Sequence, residues 1–416
     1  MKKTIKNLYR TYKKKGVQET RGLAETIVWW KFRGEKLSEK EMRHPGKVQP
    51  NKIVFESYGD YGDNSRALSD YMIANGYGKK YDIVWIVDNP ENYKSLVPSN
   101  IRLVPRKYKN DKYTLEALRE IHTAKYVFYT VALNWAGIAQ NDQIFINLWH
   151  GCSFKGNKED REVFFDYCLV PSPFFQKLKM EFFNCKADKI LPIGYPRNDL
   201  LKKENPKVRK TVKEYKRSNN CKKLILWLPT YRKSKSKRLN ERTLDGSKFN
   251  MPILFDQRDL LRVNETCAKN HVMIVIKQHR LHNMKKANNS AFNYVKFIDD
   301  IFLENNKIQL YELLHESDAL ITDYSSVGVD YLLTDKPIGY TLDDYYSYKE
   351  SRGFTVDDPL DYMPGENIFT VDDLIKFIEH IASNIDDYRE NRENVANILL
   401  KPSDSYCQDV LNFFEL

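Results

Sequence analysis

The stretch DALITDYSSVGVDYLLTDKPIGY, residues 318–340, reads as one complete strand–helix–strand unit. Residues 319–322 are a short unbroken apolar run, the pattern of a strand buried on both faces. Ser325 and Ser326 stand where a helix is capped. Residues 327–333 continue as a helix, and the apolar run 337–340 is the next strand.

The same alternation extends outward in both directions. Upstream, strands are expected at 52–57, 81–87, 101–105, 125–129, 143–149, 167–170 and 189–193. Helices are expected at 64–75, with Gly76 as stop signal, and at 114–123 and 174–183. A polar, basic stretch at 202–223 suits a linker or an exposed helix. The alternation then resumes with strands at 223–228, 271–276 and 294–298 and helices at 259–269, 308–314 and 371–382. Apolar strands alternating with helices imply an α/β fold of parallel sheets covered on both faces. A chain of 416 residues exceeds one ordinary core. Two Rossmann-like domains facing a cleft are therefore expected, at 46–205 and 206–416, behind an arm at 1–45.

Composition narrows the class. With 42% hydrophobic residues, 27 Tyr and 21 Phe, the chain has the make-up of a folded protein. Six Cys at 152, 168, 185, 221, 267 and 407 form no CxxC pair, which fits a reduced intracellular protein. Charges near the N-terminus lack an apolar segment behind them, so no secretion leader is expected. The apolar runs 144–149 and 224–228 are far below the ~18 residues of a membrane span.

The net charge of +11 is unevenly placed. Residues 1–34 hold ten Lys/Arg against Glu19 and Glu25, and residues 202–242 hold sixteen against three Glu, so the remainder is acidic. In the first patch Ile5, Leu8, Tyr9 and Tyr12 share one helical face, with Val28, Trp29, Trp30 and Phe32 beyond. That pattern fits a helix lying in an anionic membrane interface; a solvated charged helix fits the charges alone.

In parallel α/β folds the chemistry gathers beyond the carboxyl ends of the strands. After the strand at 143–149 come His150, Gly151, Cys152, Ser153, Phe154 and Lys155. An imidazole there can act as a general base, or simply cap the strand. After 271–276 come Lys277, Gln278, His279 and Arg280, suited to a phosphate or to an ordinary solvated loop. After 319–322 the free N–H groups of a helix start near Ser325 and Ser326 suit an anion, with Asp330 a turn on; capping alone accounts for one Ser. Pro229, Thr230 and Arg232 end another strand, and the turn at 194–199 projects Arg197. Several strand ends offering His, Arg, Lys or Ser describe a phosphate-bearing ligand. No GxxxxGK[ST], HExxH or DxD occurs, so no metal is expected and charge neutralisation falls to Lys, Arg and helix ends.

In these motifs the sequence resembles the CDP-glycerol glycerophosphotransferases of teichoic acid synthesis, the primase and polymerase family. The shared elements are Trp149–His150–Gly151 with Lys155, the G-x-P-R-x-D turn at 194–199, P-T-x-R at 229–232, K-x-H at 277–279, T-D-Y-S-S at 322–326 with Asp330, and R-G-F at 352–354. They run in family order from about residue 50 to 390. Two positions depart: Cys152–Ser153 stands where the family usually has Thr-Pro, and Arg280 where a Pro often follows. The resemblance implies a GT-B fold, His150 as base, and His279, Arg197, Thr230, Ser325, Ser326 and Asp330 around a CDP-linked donor. It implies no cofactor beyond that donor, a lipid-linked polymer acceptor, and peripheral attachment to the cytoplasmic face of the membrane. A nucleotide-sugar glycosyltransferase shares the fold expectation. A nucleic-acid-binding role fits the charge alone, without any RRM, KH or helix-turn-helix signature.

Overall fold

The computed structural model describes residues 17, 24, 40–41, 46–57, 59–106, 113–130, 139–156, 164–230, 251–277 and 292–416. The arm expected at 1–45 lies almost wholly outside the described residues, as do Arg232, Gln278, His279 and Arg280. The chain packs as two units, residues 1–150 with 162–169, and residues 151–161 with 170–416.

The first unit is built on β1 (Gln49–Glu56), β2 (Asp82–Val87), β3 (Arg102–Pro105), β4 (Ala124–Tyr129), β5 (Ile144–Asn147) and β6 (Tyr167–Leu169). They lie in the order β3-β2-β1-β4-β5-β6. All pairs are parallel, with Val54 opposite Val84 on one side and Val127 on the other. Ile53, Val54 and Phe55 at its centre are fully buried, as unbroken apolar strands require when helices cover both faces. Helix Leu115–Thr123 starts where the Thr114 side chain accepts from the N–H of Ala117. The order reverses between β1 and β4, the switch point at which such sheets bind ligands.

The second unit contains the short strand β7 (Ile190–Leu191) and the sheet strands β8 (Lys223–Trp227), β9 (Val272–Lys277), β10 (Val295–Ile298), β11 (Ala319–Thr322), β12 (Ile338–Thr341) and β13 (Glu366–Ile368). The order β10-β9-β8-β11-β12-β13 repeats the topology of the first unit, again all parallel. Ile225, Trp227, Ile274, Ile276 and Ile321 pack with Leu260, Val263, Phe377 and Ile378 from the helices Gln257–Lys269 and Val371–Ser383. A capping box of Asp256 and Asp259 starts the first of these helices.

The strand expected at 143–149 stops at Asn147; Leu148 N still donates to Tyr129 O, but side chains take Trp149 N and the carbonyls of Leu148 and Trp149. The stretch 202–223 contains the helix Pro206–Ser218, opened by Asn205 and Pro206. The division drawn at residue 205 falls inside the second unit. Residues 170–205 belong there for a physical reason. The Asp199 carboxylate accepts from the N–H groups of Tyr406 and Cys407 and from the Ser405 hydroxyl, capping the C-terminal helix Tyr406–Phe413.

Candidate functional site

At the carboxyl edge of the second sheet, β8 and β11 are tied by a buried carboxylate. Asp323, 1% exposed, accepts from the backbone N–H of Thr230 at 2.8 Å and from its hydroxyl. Thr230 in turn accepts from Lys155 Nζ at 2.9 Å. Pro229 has no N–H to pair, and both Pro229 and Thr230 are half-buried. Lys155 is held from its other side by the R-G-F segment. It forms an antiparallel bridge with Phe354, while Gly156 N donates to Gly353 O and Arg352 Nε donates to Gly156 O, each at 2.9 Å. Phe354 itself stacks on Tyr345 and Tyr348.

The second cluster centres on Arg197. Its Nη2 donates to Asp330 Oδ2 at 2.7 Å, with the two side chains only 6% and 1% exposed. Tyr311 donates to the same oxygen at 2.5 Å, and the guanidinium lies 4.6 Å from the centre of the Tyr311 ring. A buried, hydrogen-bonded pair of this kind fixes an arginine in one direction.

Gly151 brings the two halves of this arrangement together. Its φ is +122°, and a Cβ there would lie 2.4 Å from Ser326 Oγ and 2.9 Å from Arg197 Nη2. Only glycine permits both the backbone angle and the approach. Ser325 is the N-cap of the helix Ser326–Tyr331, yet its side chain makes no capping bond. Capping therefore does not account for either serine.

His150 is the last residue of the first unit before the chain passes to Gly151. It is exposed, and its ring lies 4.4 Å from that of Trp149. Trp149 adopts φ +52°, a left-handed conformation that costs a bulky residue roughly 1–2 kcal/mol. Three hydrogen bonds hold it there. Asn147 Oδ1 accepts from Trp149 N at 2.9 Å, and Asn64 Nδ2 donates to Leu148 O at 3.1 Å and Trp149 O at 2.9 Å. Both asparagines are fully buried. The result is a rigid turn that turns the Trp149 ring inward and the imidazole outward.

The structure places the expected residues in different settings. Gly151, Lys155, Arg197, Pro229, Thr230, Ser325, Ser326 and Asp330 gather in the second unit as described. Cys152 and Phe154 have buried side chains. Cys152 is 1% exposed with its thiol 3.1 Å from Tyr195 Oη, and burial pushes that thiol above its ordinary pKa. Phe154 is buried against Phe175 and Tyr362. Beyond Gly151 the chain directs these side chains into packing, while Ser153 and Lys155 stay half-exposed. Lys277, at the end of β9, pairs with Asp300 at 3.0 Å. Arg232, Gln278 and His279 lie outside the described residues.

Asn64, Asn147, Tyr311 and Asp323, which hold these groups in place, were not singled out from the sequence. Asp323 sits inside the T-D-Y-S-S motif, but nothing local marks its partner 93 residues away. Among the described residues no His, Cys, Asp and Glu side chains are grouped as a metal ion needs, and no helix is long and apolar enough to cross a membrane.

A family model described as CDP-Glycerol:Poly(glycerophosphate) glycerophosphotransferase matches residues 38–408. A teichoic acid poly(glycerol phosphate) polymerase of Bacillus spizizenii is 28% identical over 381 residues, covering 85% of this chain and 87% of the relative. One from Staphylococcus epidermidis is 26% identical and covers 76% of this chain, which spans only 43% of that longer protein. The solved structure of a variant of the wall teichoic acid polymerase TagF superposes with a TM-score of 0.72 at 22% identity, covering 96% of this chain and 98% of TagF. That likeness establishes a GT-B-like α/β fold. A TagF variant soaked with CDPG matches with the same TM-score and identity, over 96% of each chain.

Proposed function

Because the chain belongs to the CDP-glycerol:poly(glycerophosphate) glycerophosphotransferase family, we propose that it transfers glycerol phosphate, or a related polyol phosphate, from a CDP-activated donor to a hydroxyl of a lipid-linked teichoic-acid or capsule-type acceptor. The observation that carries the reading is the junction at Gly151. An exposed imidazole on a rigid turn is followed by a glycine against which Ser326 and a fixed Arg197 are packed.

A primary hydroxyl of the acceptor forms a bond to the β-phosphorus of the donor, and the bond from that phosphorus to the bridging oxygen breaks. CMP leaves with that oxygen. His150 takes the hydroxyl proton, a contribution of about 10²–10⁴-fold for a placed general base. Arg197, Lys155, Lys277, His279 and Arg232 neutralise the diphosphate, with hydrogen bonds from Gln278 and from the backbone N–H groups at Ser325–Ser326. Asp330 orients Arg197, and Asp323 orients Thr230. No resident metal or cofactor is assigned. The basic arm holds the enzyme to the cytoplasmic face of an anionic membrane.

CMP release with CDP-glycerol, CDP-ribitol and a panel of UDP-sugars tests the reading. His150→Ala is expected to lose at least about 10²-fold in turnover while its circular dichroism and donor binding persist. Undiminished turnover in that variant removes His150 from the reaction. Release of UDP in place of CMP from the native enzyme shows that the chain is a glycosyltransferase.

A further inference from the structure

The basic segment that follows Arg197 is not used by the transfer chemistry, and its structure gives it a direction. The helix Pro206–Ser218, PKVRKTVKEYKRS, carries six Lys/Arg against the single Glu214. Only Val208 and Val212 are buried. With 3.6 residues per turn, the face opposite these two valines carries Lys210, Lys213 and Arg217, flanked by Lys207 and Arg209. All five are exposed. Arg209 pairs with Glu204, and Lys210 reaches Glu214 only at 4.0 Å. Lys207, Lys213 and Arg217 form no ion pair among the described residues.

The ends of the helix are pinned at different heights of the sheet. At its start Asn205 donates to Glu312 at 2.7 Å, on the helix Leu310–Glu316 whose Tyr311 holds Asp330 and thereby Arg197. At its end Lys216 bonds to Asp318, whose carboxylate also accepts from Leu224 N at the amino end of β8. The cationic ridge therefore begins beside the carboxyl-edge site and descends the outside of the second unit. From Lys207 to Arg217 it spans roughly 15 Å.

We propose that this ridge binds the phosphodiester backbone of the acceptor polymer as it extends away from the site. The inference rests on the proposed transfer activity for the identity of the polymer, and on charge complementarity for the contact. A polyol-phosphate chain offers one anion per repeat and no acyl chain. The ridge offers cations and, beyond Pro206 at its start, no exposed apolar side chain, since both valines face inward. An interfacial membrane helix needs an apolar face to bury in the bilayer, so the lipid surface fits this helix less well than the polymer.

The test uses the full chain with Lys207→Gln, Lys210→Gln, Lys213→Gln and Arg217→Gln combined, and a second variant with the three lysines changed to Arg. Three quantities are measured: affinity for poly(glycerol phosphate) of defined length at two salt concentrations, binding to phosphatidylglycerol vesicles, and product length from a one-unit lipid-linked acceptor. The Gln variant is expected to bind polymer about tenfold or more weakly, with a shallower salt dependence, as loss of several phosphate contacts implies. It is expected to make shorter products at an unchanged rate of first addition, and the Arg variant is expected to behave as the native enzyme. Unchanged polymer affinity in the Gln variant overturns the proposal. So does loss of vesicle binding with polymer binding intact, which would make the ridge a membrane contact. Absence of CMP release by the native enzyme would instead remove the transfer reading, while the polymer-binding measurement still decides whether the ridge takes polyanions.

Discussion

Replacing Asn64 should reduce catalysis from a position that touches no substrate. Its amide donates to the carbonyls of Leu148 and Trp149 from inside the first unit, where it has no exposed surface. Each such bond contributes about 0.5–1.5 kcal/mol net, and a buried carbonyl left without a partner costs about 1–3 kcal/mol. Asn64→Ala should therefore lower stability by about 2–4 kcal/mol. The bonds also offset the left-handed conformation of Trp149, which otherwise costs roughly 1–2 kcal/mol. Once released, the turn relaxes toward ordinary φ and carries His150 with it. A displacement on the order of 1 Å at a proton-accepting group costs about 10²-fold in rate.

The assay is CMP release, with kcat and KM for donor measured separately and the folded fraction determined by thermal melting. We expect kcat to fall about 10²-fold while KM for the donor stays within a few-fold. Asn64→Asp, which presents an anion to two carbonyls, should be no better than Ala. Ser65→Ala is the control. Ser65 is the next residue on the same helix and equally buried, but its hydroxyl donates to Glu56 O at 2.8 Å at the end of β1. It should lose stability without losing kcat per folded molecule. If both variants lose activity only in proportion to unfolded protein, Asn64 supports the fold and does not position His150.

Three further substitutions probe the second unit. Gly151→Ala places a methyl 2.4 Å from Ser326 Oγ at φ +122°, so turnover should fall at least tenfold with little change in far-UV dichroism; a fully active variant would show that the junction is not close-packed in the working enzyme. Arg197→Lys keeps the charge but loses the planar fork that Asp330 orients at 2.7 Å, so KM for the donor should rise and the melting temperature fall, and Asp330→Asn should do the same; unchanged donor affinity in both would place the pair outside the donor site.

The fold was legible because its signals are local. Short apolar runs separated by helical periodicity specify parallel strands wherever they occur, and the six strands of each unit took the same order from that alternation. The strand ends were legible for the same reason, since the residue after an apolar run must lie at a sheet edge. What the sequence did not disclose is which partner each side chain finds. Asn64 lies 84 residues from Leu148 O, and Tyr311 lies 19 residues from Asp330 on a different helix. Cys152 and Phe154, singled out for their adjacency to His150, have buried side chains. The chain turns at Gly151, and neighbours along it then face into packing. A basic stretch such as 202–223 looks like a linker in the sequence, while in the structure the capping of Tyr406–Phe413 by Asp199 ties residues 170–205 into the second unit.

Partner choice also changes the electrostatic reading. Counted from the sequence, Arg197 and Lys277 are cations waiting for a diphosphate. In the structure they are paired with Asp330 and Asp300, so these two pairs add no net charge to the second unit. Their contribution to an anion must come from direction more than from charge, as N–H groups already aimed and already desolvated. Moving a flexible, hydrated lysine or arginine into place during the reaction would cost side-chain entropy of about 2 kcal/mol. Groups held by a carboxylate have met that cost during folding. The unpaired positive charge lies on exposed surface such as the helix Pro206–Ser218, where it is screened by salt and able to guide a long polyanion. In the proposed reading the chain separates two tasks that a simple count of basic residues merges: aimed cations paired with carboxylates at the strand ends, and exposed cations along the helix Pro206–Ser218.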